Sequence, residues 1–338
     1  MHRICIVPEV DVIGGMASFR RKFEAGLAAR KIAISHQVSE PCDAILVIAG
    51  TKNLLPLWKA HRRGMRIVQR LDGINWIHRR RNTGLRHFLR AEYGNLVLSF
   101  IRSSMADHIV YQSEFSRRWW EDWYGKAHAG FSVVHNGVDL TEYRPADKPR
   151  ASGRRCRLLV VEGSLDGGYD MGLDNAIKLA ETLAGKYGFP MELMVVGKIT
   201  EGHKAQVEAH AHVPIIWAGV MPQNDIPDVM RSADLLFSAD LHPACPNTVI
   251  EALACGLPVA AFDTGAVKEL MSDEAGKVVP YGGDPWKIEP PDILGLAESA
   301  AEVLRNRALF SKGARAQAEK HLGLDAMVDG YLKALLEG

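Results

Sequence analysis

Two successive series of short, nearly uninterrupted apolar runs, separated by helical patterns, limit the folds open to this chain more than any other feature. The first series reads RICIV (3–7), AILVIA (44–49), RIVQR (66–70), HIVYQ (108–112) and SVVHNG (132–137). The second reads RLLVVEG (157–163), ELMVVG (192–197), IIWAG (215–219), DLLFSA (234–239) and VAAF (259–262). Strands apolar on both faces are covered on both faces, and intervening helices place them in parallel sheets. Phe19, Phe23 and Leu27 recur at helical spacing, a helix is predicted near 173–185, and the chain reads as helical after about residue 290. The expected fold is α/β, with two doubly wound domains of Rossmann-like type. A length of 338 residues suits two cores of ordinary size. The stretch TEYRPADKPRASGRR (141–155), rich in proline, charge and small residues, predicts domains of 1–148 and 149–323.

The net charge of +1 hides an asymmetry. Residues 1–150 carry 24 Lys/Arg against 14 Asp/Glu, and residues 151–338 carry 17 against 26. The first half therefore suits an anionic surface or ligand. Its densest basic stretch, IHRRRNTGLRHFLR (77–90), reads either as a solvated helix face or as a contact with anionic membrane head groups or a phosphorylated acceptor. Nucleic acid is not an expected partner. The five cysteines are scattered and lack Cys-x-x-Cys spacing, which predicts reduced thiols and a cytoplasmic setting, at most peripheral on the inner face of the membrane. No run approaches the roughly 20 apolar residues of a membrane span, and Met1–Arg3 leads only into Ile4–Val7, so no signal peptide is expected. No two aspartates stand two apart, no cluster has zinc spacing, and no Gly-x-Ser-x-Gly elbow occurs. Neither a metal nor a resident cofactor is expected.

Candidate binding residues follow from where helices begin. ACPNTVIEALACGLPV (244–259) opens a helix near Asn247, directly after a strand's carboxyl end. Ligands of open α/β sheets bind at that edge. The amides of Asn247 and Thr248 are first-turn donors, and with the helix dipole they favour an anion such as phosphate. Glu251, one turn in, suits ribose hydroxyls or else only stabilises the helix. Gly14-Gly15, after the first strand, lets backbone approach a ligand, although a plain turn fits equally well.

Together these segments resemble a family. IGGMASFRRKFEAGLAAR (13–30), VVHNGVDLTEYRP (133–145), VEGSLDGGYDMGLDNAIKLAETL (161–183), LMVVGK (193–198), WAGVMPQNDIPDVMRSADLLFSA (217–239) and CPNTVIEALACGLPVAAFDTGAVKEL (245–270) resemble the retaining, group-1 (family-four) glycosyltransferases. The resemblance covers most of the chain and is strongest over 157–280. It implies a GT-B architecture, with facing Rossmann-like domains and an interdomain cleft. It places the donor on the second domain and the acceptor on the first, with a final helix (324–338) that packs back on the first. The implied reaction is metal-independent transfer of a sugar from a nucleoside diphosphate sugar to an unknown acceptor hydroxyl, with retention. The implied donor site comprises Gly14, Gly15, Ser164, Lys198, Pro246, Asn247, Thr248 and Glu251.

The departures concern charge. Relatives carry two glutamates eight residues apart; Glu251 is the second, and Pro243 stands at the first. An arginine and a lysine that usually neutralise the diphosphate are replaced by Ser164 and Met171. Lys198 and, on the other domain, Arg70 are the nearest cations by motif. Asp72 stands where many relatives carry an active-site histidine, and either orients or deprotonates an acceptor hydroxyl or belongs to a simple Asp-Gly turn. His242 is a second catalytic candidate. The alternatives are a catalytically impaired homologue that binds sugar nucleotide or glycan, and a sugar-nucleotide epimerase.

Overall fold

The computed structural model describes residues 2–9, 14–147, 154–166 and 170–337. The expected boundary at 148/149 lies outside these residues. By internal packing the chain divides into Met1–Gly137 with Leu324–Gly338, and Val138–Gly323.

The first unit runs β1 (Arg3–Val7), α1 (Gly15–Ala29), β2 (Ala33–Ser35), β3 (Ala44–Ile48), α2 (Leu54–Arg62), β4 (Arg66–Leu71), α3 (Leu85–Ser104), β5 (His108–Tyr111), α4 (Glu114–Tyr124) and β6 (Gly130–Val133). The second runs β7 (Cys156–Ser164), α5 (Met171–Gly185), β8 (Met191–Lys198), α6 (Glu201–Glu208), β9 (Ile215–Gly219), α7 (Ile226–Arg231), β10 (Leu235–Ser238), α8 (Asn247–Ala254), β11 (Val259–Phe262), α9 (Val267–Leu270), β12 (Gly276–Val279), α10 (Ile293–Arg305) and α11 (Arg307–His321). The last helix, α12 (Leu324–Leu336), belongs to the first unit.

Each unit holds a six-stranded sheet, ordered β2-β1-β3-β4-β5-β6 and β12-β11-β10-β7-β8-β9. All pairings are parallel, for example Ile4↔Ala44 and Leu235↔Leu158. The strand order reverses direction at β1/β3 in the first sheet and at β7/β10 in the second, the positions where doubly wound sheets open a crevice beyond the strand ends.

The cores sit on both faces of each sheet. Along β7, Leu158 and Val160 pack on one side with α5 and α10, while Leu159 and Val161 pack on the other with α7 and α8. The first sheet is covered on one face by α1 and α12 and on the other by α2 and α3. Tyr331 of α12 lies against Phe19 and Phe23 of α1, with ring centroids 4.9 and 5.4 Å away. A Cβ at Gly26 would collide with Val328, so only glycine lets α1 and α12 approach this closely. Arg66 donates to the Ala334 carbonyl, and Arg30 pairs with Asp325 and Asp329.

The division of the chain falls at Gly137/Val138, upstream of the proline-rich stretch. Val138 N–H donates to the Leu322 carbonyl, and Tyr143 is buried in the second core. Arg315 donates to the carbonyls of Leu140 and Tyr143 and also to that of Ala254 at the end of α8. The segment 138–147 is thus held by the second unit.

Tyr331→Ala is expected to lower stability by about 3–5 kcal/mol, because it empties a fully buried aromatic site. Urea unfolding followed by Trp fluorescence checks this, and a loss below about 1 kcal/mol would remove α12 from the first core.

Candidate functional site

Parallel strands buried on both faces leave polar side chains one place to gather, the carboxyl edge. In the second unit, β7 ends at Ser164 and β8 at Lys198, and these two residues are partners in the sheet register. Both are exposed. Leu165 N–H donates to the Lys198 carbonyl. A Cβ at Gly197 (φ 147°) would collide with the Glu162 carbonyl, so glycine there keeps the two strand ends together. Beyond them Asp166 accepts from the Thr200 amide at 2.7 Å and lies 2.8 Å from His203 Nδ1, fixing the following loop.

Across the reversal point, β10 leads through residues 239–246 into α8. No side chain caps α8 at Pro246, and Asn247 and Thr248 are half-buried in its first turn. The far end is charged in the favourable sense, since Arg315 holds the Ala254 carbonyl at 2.7 Å. Gly172, at the start of α5, would place a Cβ 2.9 Å from Ala239, so α5 begins tight against the β10–α8 loop. Glu251 is buried on α8, where its charge raises the Tyr143 and Cys255 pKa values on top of the larger effect of burial, Cys255 to about 12.

Position 243, where the resemblance implies a glutamate, is tightly packed. The Pro243 carbonyl accepts from Ala266 N–H at 2.8 Å, and Gly265 (φ 63°) has no room for a Cβ against the Pro243 ring. His242 precedes it at φ 62°, buried, with its ring 3.6 Å from the Trp286 ring and nearly parallel. Burial pushes its pKa down to about 4, against the opposing pull of Pro285 and Asp284, so this imidazole is neutral at pH 7. It can exchange a proton or a hydrogen bond there but supplies no positive charge.

Two carboxylates at this edge escaped sequence reasoning. Glu162 and Asp240 stand at the ends of the adjacent strands β7 and β10, and the Glu162 carboxylate faces the Asp240 backbone N–H. Crowding by protein and then the Asp240 charge raise Glu162 well above the ordinary range. Burial also pushes Asp240 up, to about 6, against the opposing hydrogen bond from the Leu241 backbone N–H. An acidic residue directly after the apolar runs RLLVV and DLLFSA was the available signal.

In the first unit, Gly14 adopts φ 153°, a region open to glycine, and nothing lies within 4 Å of where its Cβ would be. Both Gly14 and Gly15 are exposed at the start of α1, which carries no side-chain cap among the described residues. Arg70 and Asp72 are brought together at the end of β4. Arg70, the expected phosphate cation, is almost fully buried. Its guanidinium stacks 4.1 Å over Phe19, donates to Asn136 at 3.1 Å and lies 3.8 Å from the Asp72 carboxylate. Asp72-Gly73 forms no turn. The loop is pinned by Trp120 Nε1, which donates to the Asp72 carbonyl, and by the Asn75–Asn95 pair. Burial raises the Asp72 pKa and Arg70 opposes the rise, while about a third of the carboxylate side chain stays exposed.

The match to known sequences falls on the unit that carries the strand-end cluster. Residues 156–306 match the model of the family described as glycosyl transferases group 1. The second unit belongs to that family. The chain is similar to the 2-deoxystreptamine glucosyltransferase of Streptomyces kanamyceticus, at 27% identity over 194 residues, covering 54% of this chain and 48% of that protein. It spans about half the length of the curated relatives it matches. Among solved structures, the fold resembles the sucrose-phosphate synthase of Thermosynechococcus elongatus (TM-score 0.76, 14% identity, 98% and 97% of the two chains). It also resembles HepE of Anabaena, solved in complex with UDP-glucose (TM-score 0.69, 15% identity, 99% and 100%). The architecture is that of GT-B proteins, two parallel sheets each flanked by helices. Within the group 1 domain, Ser164, Lys198 and the start of α8 share one carboxyl edge. Among the described residues no group of His, Cys, Asp and Glu has the geometry of a metal site.

Glu162 and Asp240 take up protons on folding, because their folded pKa values lie above the unfolded ones. Stability therefore falls as pH rises from about 4 through the folded values. Glu162→Gln is expected to raise Tm by about 2–4 °C at pH 8 and to leave it unchanged at pH 4. Thermal melts across that range check it, and an equal shift at both pH values would show that the proton is not involved.

Proposed function

We propose that this chain transfers a sugar from a nucleoside diphosphate sugar to an acceptor hydroxyl, with retention at the anomeric carbon and without a metal. The observation that carries the reading is the pairing of Ser164 with Lys198 beside an uncapped α8, at the strand-order reversal of a group 1 domain. The α8 amides of Asn247 and Thr248 and the Lys198 ammonium hold the diphosphate, Pro246 sets the entry to the helix, and Glu251 receives the ribose hydroxyls. HepE, which shares the fold, is solved with UDP-glucose, so UDP and UDP-glucose are the first probes.

In the proposed reaction the C1–O bond to the diphosphate breaks and a C1–O bond to the acceptor oxygen forms on the same face. The acceptor proton passes to the leaving diphosphate oxygen. Amides and Lys198 stabilise the charge that grows there, which removes the need for a cation from solution. Gly14 and Gly15 let backbone approach the substrates, and Asp72 orients the acceptor hydroxyl. Arg70 acts through Asp72: buried and stacked on Phe19, it lies beside the carboxylate and offsets part of the rise that burial imposes on its pKa. His242, held neutral under Trp286, is the group available for proton exchange on the donor side. The second reading, a homologue that binds sugar nucleotide without turnover, is favoured by Ser164, Met171 and Pro243 in places where relatives carry charge.

Lys198→Ala and Glu251→Gln are each expected to weaken nucleoside diphosphate binding about tenfold or more, with Tm near wild type, because each removes a charge-assisted hydrogen bond. Calorimetry with UDP checks this, and unchanged affinity in both would sink the donor-site assignment. Asp72→Asn is expected to lower turnover at least tenfold while leaving donor affinity intact. Acceptor screening with NMR of the product anomer tests transfer itself. A product with inverted configuration, or an epimerised free nucleotide sugar, would contradict the proposal. Tight binding with no product from any acceptor supports the second reading.

A further inference from the structure

Helix α3 buries Ala91, Asn95, Val97 and Ile101 toward the sheet. Its opposite side is apolar as well. Leu85, Leu89, Tyr93, Leu96 and Phe100 are 46–75% exposed. At 100° per residue these five fall within an arc of about 80°, diametrically away from the core. Such a stripe is unusual on a helix whose inner face is already satisfied. Helix α2 covers the same face of the sheet, since Leu57 and Ala60 share a core cluster with Val97 and Ile101. It too turns large apolar groups outward, Leu55 and Trp58.

The exposed charges on these two helices are basic. Arg80, Arg86 and Arg90 are exposed near the α3 stripe, and Lys59, Arg62 and Arg63 are exposed on and after α2. Arg62 stacks over Trp58. The acidic residue of α3, Glu92, is already paired with Arg79 and His78. Arg79, which also stacks on Trp123, is thereby removed from the basic stretch that sequence alone suggested.

We infer that the outward faces of α2 and α3 form a membrane-surface site, in which the Leu85–Phe100 stripe enters the head-group layer of an anionic bilayer and the flanking arginines and lysine meet its phosphates. Charge complementarity selects this occupant. A second copy of the chain would bring like charges together around the stripe, whereas anionic lipid removes both the exposed apolar surface and the excess positive charge. No helix among the described residues is long and apolar enough to span a membrane, so the contact is interfacial.

The test is co-sedimentation of the full chain with vesicles of phosphatidylcholine alone and of phosphatidylcholine with phosphatidylglycerol. Binding is expected to the anionic vesicles only and to weaken as salt rises. The pair Arg86→Glu with Arg90→Glu is expected to reduce partitioning by at least about tenfold. The pair Leu89→Glu with Leu96→Glu is expected to abolish it. Both pairs face water, so Tm stays near wild type; should the glutamate pair melt early, Leu89→Ser with Leu96→Ser provides the same readout. Equal binding to neutral vesicles, wild-type partitioning by the stripe variants, or no vesicle binding overturns the inference. So does a lipid-free dimer that the stripe variants dissociate, which would make the occupant a second copy.

Discussion

The decisive constraint is that every strand pairing in both sheets is parallel and both faces of each sheet are buried. Side chains along the strands are committed to packing, and the chain's polar chemistry is confined to the carboxyl edges and to the helices that start there. In the second unit the strand order reverses between β10 and β7, so the helices following these two central strands diverge and leave the edge between them open. Glu162, Ser164 and Asp240 lie there for that reason, with Lys198 one strand away. Small residues tighten the arrangement: Gly197 admits the Glu162 carbonyl, and Gly172 admits Ala239.

The electrostatics of that edge are consistent with an anionic ligand. Arg315 satisfies the carbonyl end of α8, and the amide end carries no side-chain cap. Two carboxylates in the same place would oppose an anion if both were ionised. Crowding raises both, and the Asp240 charge raises Glu162 further, which disfavours the doubly ionised pair. Lys198 stands beside Ser164 in the sheet register. In the first unit the logic is different: Arg70 is an interior charge whose neighbours are Phe19, Asn136 and Asp72, and its effect reaches solvent through the Asp72 carboxylate.

Strand-forming runs were legible wherever apolar residues are continuous, as in AILVI and LLVV, because burial on both faces writes an unbroken pattern. Two edge strands were not. β2 (AIS) and β12 (GKVV) are short, half-covered and interrupted by small or charged residues, so no pattern separates them from loop. SVVHNG also proved to be strand only in part, since β6 ends at Val133 and Asn136 turns inward to bond Arg70. The candidate site was legible only as a helix start directly after a strand end, at 246–251. It was opaque where long-range proximity does the work: the Glu162–Asp240 pairing depends on strand order, the Trp286 cover on His242 spans more than forty residues, and the burial of Arg70 follows from the packing of α1 on the sheet.

The central claim is that the carboxyl edge of the second unit holds a nucleoside diphosphate. Hydrogen–deuterium exchange with and without UDP tests it most directly, because the proposed contacts are largely backbone amides. Protection is expected at 163–166, at 198–200 and in the first turn of α8, residues 247–250, with α2 and α3 unchanged. Full UDP occupancy with unaltered exchange at 247–250, or protection confined to the first unit, would contradict the account.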